Sequence, residues 1–88
     1  MNQLPKKYQQ YCLAITYGLF ADMLNPKNQG PNFTWDKFPV IASDWAEGNI
    51  GLYYGNVSER HKKMIAEECK LLAERILKRS EINLWFQK

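Results

Sequence analysis

The chain has 88 residues, of which 45% are hydrophobic and 14% aromatic, so its composition predicts one compact domain spanning 1–88 and excludes a disordered tail. Twelve Lys and Arg residues against nine Asp and Glu give a net charge of +3, which is too small for the strongly basic surface of a dedicated nucleic-acid-binding domain. No stretch approaches the roughly 20 apolar residues of a membrane-spanning helix, so no membrane partner is expected.

The first predicted element is a long helix over about residues 5–24. Pro5 fits its first turn, where a missing amide hydrogen costs nothing. Apolar residues fall on two nearly opposite sides of this helix. One side holds Leu4, Tyr8, Tyr11, Cys12, Ile15, Leu19 and Met23, and the other holds Leu13, Tyr17, Phe20 and Leu24. A domain of this size has little chain with which to cover both sides, so the second side is predicted to contact a partner.

The middle of the chain predicts a loop, a short helix and a strand in that order. Residues 25–34 are rich in Pro, Asn and Gly, which favours a polar loop. A second helix is predicted over about residues 39–47, with Pro39 in its first turn and Gly48 as its stop. The segment 49–54 is short, aromatic and bounded by glycines, which favours a strand or an extended connection.

The clearest element is a long amphipathic helix over about residues 58–79. Ser58 follows a Gly and Asn pair of residues that break the preceding segment, and its side chain can accept hydrogen bonds from the first-turn amides. One stripe is apolar and the opposite side carries charges of both signs. The apolar stripe consists of Ile65, Cys69, Leu72 and Ile76, flanked by Met64 and Leu71.

The last residues alternate in polarity over 82–86, which predicts a terminal strand, although a further helical turn beginning at Ser80 fits as well. Strands at 49–54 and 82–86 can pair in a two-stranded ribbon that helices cover on one face. The expected fold class is therefore a helix-dominated α+β domain with two long helices, a short middle helix and this small ribbon.

Residues with catalytic or ligand chemistry are few. Cys12 and Cys69 lie on predicted helix stripes and are expected to be buried thiols, with a disulfide as the lesser alternative. His61, Glu68 and Arg75 recur every seven residues as a polar row, which fits either a proton-transfer site or a boundary row of locally paired charges. The second interpretation is favoured, because structural ion pairs are commoner than active sites. We expect no enzyme activity, no metal and no cofactor.

A nucleic-acid-binding module is the alternative function. Basic side chains that can contact phosphates stand at the two ends of the 58–79 helix, beside aromatic residues that can stack on bases. Acidic residues interrupt any continuous basic stripe along this helix, which weakens the case. The residues concerned are Arg60, Lys62, Lys63, Lys78 and Arg79.

Protein binding is the favoured function, because the chain holds more large apolar side chains than one small core readily covers. We expect a non-enzymatic module of the inhibitor or adaptor type that docks an apolar and aromatic surface on a protein partner, with a homodimer among the candidate partners. An origin in a phage or mobile element is suggested by chain size alone, and the lack of a secretory pattern suggests the cytoplasm. The predicted contact residues are Leu13, Tyr17, Phe20, Leu24, Trp35, Tyr53 and Tyr54.

Overall fold

A computed structural model describes residues 4–79, and this part of the chain contains three α-helices and no strand. We name them α1 (Lys6–Met23), α2 (Phe38–Tyr54) and α3 (Glu59–Lys78). The connection between α1 and α2 contains two short 3-10 turns, Pro26–Asn28 and Trp35–Lys37. None of the helices in residues 4–79 combines the length and apolarity needed to cross a membrane.

The predicted α+β class is wrong, because the segment 49–54 continues the middle helix instead of forming a strand. As a helix, α2 places Ala42, Ala46 and Ile50 on one buried side, whereas a strand would have turned alternate residues of the segment to solvent. Gly48 did not stop the helix, and α2 ends instead at Gly55, whose φ of 87° lies in the left-handed region. The second half of the predicted ribbon, 82–86, lies outside the described residues.

The helix starts follow from local chemistry. Pro5 immediately precedes α1, and its carbonyl accepts hydrogen bonds from the amides of Tyr8 and Gln9. Pro39 lies in the first turn of α2, as the sequence predicted. Ser58 is the N-cap of α3, and its hydroxyl oxygen accepts a hydrogen bond from the backbone amide of His61 at 3.2 Å.

Ring contacts and one thiol hydrogen bond between the helices show their relative directions. Tyr11 and Phe20 of α1 contact Tyr54 and Phe38 of α2, respectively, so α1 and α2 are antiparallel. Tyr8 and Cys12 of α1 contact the start and the middle of α3, so those two helices are parallel. The most extensive helix contact is between α2 and α3, which are joined by a short connection.

All three helices contribute to one hydrophobic core. Small side chains occupy much of it, with alanines buried on both α2 and α3, and this allows those two helices to approach closely. Both α1 and α3 turn a predicted apolar stripe inward, and on α1 only the first of the two predicted stripes is buried. The core consists of Tyr8, Cys12, Ile15, Phe38, Ala42, Ala46, Ile50, Val57, Ile65, Ala66, Cys69 and Ala73.

The two cysteines are free thiols in this core, at the contact between α1 and α3. The Cys12 thiol donates to the Ile65 carbonyl oxygen at 3.8 Å, and the Cys69 thiol donates to the Cys12 carbonyl oxygen at 3.9 Å. The hydrogen bond with the Cys69 thiol, together with burial, raises the pKa of the Cys12 thiol well above its usual range. The raised pKa suppresses the reactivity of the Cys12 thiol, because the thiolate is the nucleophile, and burial keeps reagents away from its sulfur.

We therefore expect both thiols of the native protein to react with an aromatic disulfide reagent at least about 100-fold more slowly than free cysteine, because reaction requires opening of the core. In denaturant both thiols should react as rapidly as free cysteine. The measurement is the absorbance of the released chromophore at constant pH. Rapid and complete labelling of the native chain would contradict the buried position of these thiols.

The helical assignment of α2 predicts opposite effects of alanine at two of its glycines. Gly48→Ala should raise the free energy of unfolding by about 0.5–1 kcal/mol, because a Cβ there meets no atom within 4 Å and alanine is the better helix former. Gly55→Ala should lower it by about 1 kcal/mol or more, because its φ of 87° strains an L side chain. Urea unfolding measures the stability of both variants. A loss of stability in Gly48→Ala would contradict the continuation of α2 through this residue.

Candidate docking surface

One side of α1 is not covered by any part of the chain that the structure describes. Cys12 and Ile15 face the core, while the side chains on the opposite side are exposed. The two large ones, Leu13 and Tyr17, are each 46% exposed. We call this surface the open face of α1, and it consists of Gln10, Leu13, Ala14, Tyr17, Gly18 and Ala21.

The open face of α1 is also free of charge. No Lys, Arg, Asp or Glu occurs between Tyr8 and Ala21, so this surface consists of one leucine, small residues, one phenol and one amide. The exposed side of α3 is the opposite case, with Lys63, Glu67 and Lys78 on its surface. A surface without charges loses little hydration energy when a partner covers it, so α1 is the better docking surface of the two helices.

The other two residues of the second predicted stripe of α1, Phe20 and Leu24, pack within the chain. Phe20 is partly buried, and its ring centroid lies 5.5 Å from that of Trp35 and 5.9 Å from that of Phe38. Phe33 packs edge-on against Trp35 at 5.0 Å, so the loop before α2 supplies an aromatic cover for the end of α1. Leu24 is also partly buried. The structure therefore separates Phe20, Leu24 and Trp35 from Leu13 and Tyr17, which are half exposed on the open face.

The two predicted tyrosines at the end of α2 differ from one another. Tyr54 stacks on Tyr11 of α1 with a centroid distance of 4.1 Å and is partly buried. Tyr53 is 69% exposed and stacks on Trp45 of its own helix at 5.5 Å. Its neighbour Leu52 is 80% exposed and was not among the predicted contact residues. Helical periodicity reveals Leu52, because it falls on the side of α2 away from Ala46 and Ile50 once this segment is assigned as helix.

The predicted nucleic-acid-binding residues form two separate groups. Arg60 and Lys63 are exposed near the start of α3, whereas Lys78 and Arg79 lie about 25 Å further along, since a helix rises 1.5 Å per residue. The Lys62 ammonium pairs with Glu59 at 3.2 Å, and the end of its side chain lies beside Gly51. The structure thus brings no continuous basic surface together from these residues.

His61 occupies the capped start of α3. Its Nδ1 lies 2.9 Å from the Ser58 hydroxyl oxygen, and its ring lies 5.0 Å from the ring of Tyr8. Glu68 is partly buried further along the helix and Arg75 is exposed, so the polar row runs from a half-buried to an open position. Within residues 4–79 no group of three or more His, Cys, Asp or Glu side chains is placed to hold a metal ion.

No protein-family model, no curated protein and no solved structure matches this chain. On the open face of α1, exposure, apolar character and absence of charge coincide.

Substitutions on the two sides of α1 should affect stability very differently. Tyr17→Ser should lower the free energy of unfolding by less than about 1 kcal/mol, because half of the side chain is already in water. Ile15→Ala should lower it by about 2–4 kcal/mol, because it leaves a cavity in the core. Urea unfolding of both variants measures the contrast. An equal loss in the two variants would mean that the open face is required for folding.

Proposed function

We propose that the protein is a non-enzymatic binding module that docks the open face of α1 on a protein partner. The observation that carries this proposal is the pair Leu13 and Tyr17, which lie half exposed on a helix surface that has no charged residue. Burying apolar surface yields about 25 cal/mol per Å², and this gain is not offset here by removing ions from water.

The shape of the surface supports a protein as the partner. Leu13 and Tyr17 are one helical turn apart, which is the spacing at which a helix presents anchors to an apolar groove or to another helix. Tyrosine brings a large contact area at a low cost in side-chain entropy, and it is enriched at protein interfaces. Tyr53 and Leu52 offer a second exposed apolar surface on α2.

The inhibitor or adaptor role is part of this proposal, since a module without catalytic residues acts by occupying or connecting other proteins. A cytoplasmic location is proposed as well, and the two free thiols support it because reducing compartments preserve thiols. Nucleic-acid binding through the ends of α3 stays a prediction, and the two groups of predicted basic residues lie about 25 Å apart along this helix.

The decisive test compares which proteins the full chain retains from a lysate of its source cells. The immobilised double variant Leu13→Asp, Tyr17→Asp should lose at least about tenfold of each protein that the wild type retains through the open face, because a partner would have to desolvate two carboxylates. Quantitative mass spectrometry of the retained proteins measures this loss.

The matched control places the same substitution on exposed apolar residues outside both the open face of α1 and the surface of Leu52 and Tyr53. In the double variant Val40→Asp, Leu71→Asp two aliphatic residues that are 52% and 39% exposed become aspartates on α2 and α3. This control should retain the partner at the wild-type level. Circular dichroism verifies that both variants are folded. Equal retention by the wild type and both variants would refute docking through α1.

A further inference from the structure

Four of the exposed residues of α1 have the spacing of a helix that packs against another helix. Gln10, Ala14, Tyr17 and Ala21 are separated by four, three and four residues, and all four are exposed. This is the alternation that keeps a seam of one helix facing another. Such a seam of four positions is symmetric about the midpoint between residues 15 and 16. It therefore looks the same to an antiparallel copy of itself.

The charged residues at the two ends of α1 decide which direction a second α1 can take. Lys7 precedes the uncharged stretch and Asp22 follows it, and both are exposed without an ion pair within residues 4–79. At about 100° per residue the two lie on the same flank of the seam. Parallel packing would place the two Lys7 side chains level with each other on opposite sides of the seam, about 22 Å along the axis from either Asp22. Antiparallel packing separates these like charges by the length of the helix.

Antiparallel packing also brings the opposite charges within reach. When the seam residues oppose each other about their midpoint, Lys7 of one copy lies level with residue 24 of the other. Asp22 is two residues from that level, or about 3 Å along the axis, and a lysine side chain spans this distance. Antiparallel helices bring equivalent flanks together across a two-fold axis, so the dimer contains this Lys7 to Asp22 contact twice.

We propose that the open face of α1 binds the same face of a second copy of the chain, with the two α1 helices antiparallel and Lys7 of each copy facing Asp22 of the other. This proposal rests on the docking role of the open face and names its partner as a second copy. A pair of single helices covers less than the roughly 800 Å² per partner of a standard stable interface, so the dimer should dissociate on dilution.

Analytical ultracentrifugation of the full chain tests the proposal over a concentration range from about 5 to 500 µM, at low and at high salt. The wild type should shift from 10.4 kDa toward twice that mass as concentration rises. Ala14→Glu should weaken dimerisation at least about tenfold, because it places a carboxylate in the seam. Ala14 is exposed in the single chain, so this variant should remain folded.

A charge exchange tests the antiparallel register. Lys7→Glu and Asp22→Lys should each weaken the dimer several-fold at low salt, and the double variant should return to within about twofold of the wild type. Lys63→Glu and Asp44→Lys make the same charge changes at exposed positions of α3 and α2, and they should leave the dimer unchanged. If the double variant dimerises no more tightly than the single variants, the antiparallel register is refuted.

A wild type that stays at the monomer mass throughout the concentration range would refute the second copy as partner. Docking on a different protein would survive that result if the Leu13→Asp, Tyr17→Asp variant still loses a retained protein. The two proposals therefore fail on different measurements.

Discussion

The close packing of α2 along α3 is the contact on which the other features of this fold depend. Alanines are buried on both helices, so their backbones can approach closely and share one apolar layer. Extending this contact over the whole of α2 buries Ile50 and carries the helix through Gly48 and Gly51. Because α2 and α3 pack against each other, they can cover α1 on one side only. Its second apolar side is left in water within the part of the chain that is described.

The distribution of charge makes the uncovered side of α1 easier for a partner to bind than the outer surface of α3. Glu67, Lys63 and Lys78 keep the outer surface of α3 hydrated, and any partner there would have to displace water from ions. The open face of α1 has no such cost. A molecule with one charged helix surface and one uncharged helix surface has a clear preference for where a protein partner binds, even though its net charge is only +3.

A second copy and a different protein partner would use the same open face of α1, so one chain can bind only one of them at a time. If the open face is occupied by a second copy, a foreign partner has to compete with that copy, and dilution favours the foreign partner by mass action. A weak symmetric contact of this kind would protect the apolar face while no partner is present. Tyr53 and Leu52 lie on α2, so they would be available for a separate contact.

Much of the helical framework was determined by the sequence alone. The polarity pattern of α3, the cap at Ser58, the position of Pro39 and the two apolar sides of α1 are local features, and each follows from the geometry of a single helix. The strand at 49–54 was wrong for a physical reason. A short aromatic segment bounded by glycines is typical of a strand, but burial of Ile50 against the other helices exceeds the cost of about 1 kcal/mol for each helical glycine.

Only the tertiary structure decided which residues of the second α1 stripe remain accessible. Tyr17 and Phe20 are alike in size and lie on the same stripe, so no pattern within the helix distinguishes them. Trp35, which comes from the loop before α2, packs against Phe20, whereas Tyr17 stays half exposed. Exposure depends on contacts between residues far apart in the chain, and those contacts exist only once the helices have packed.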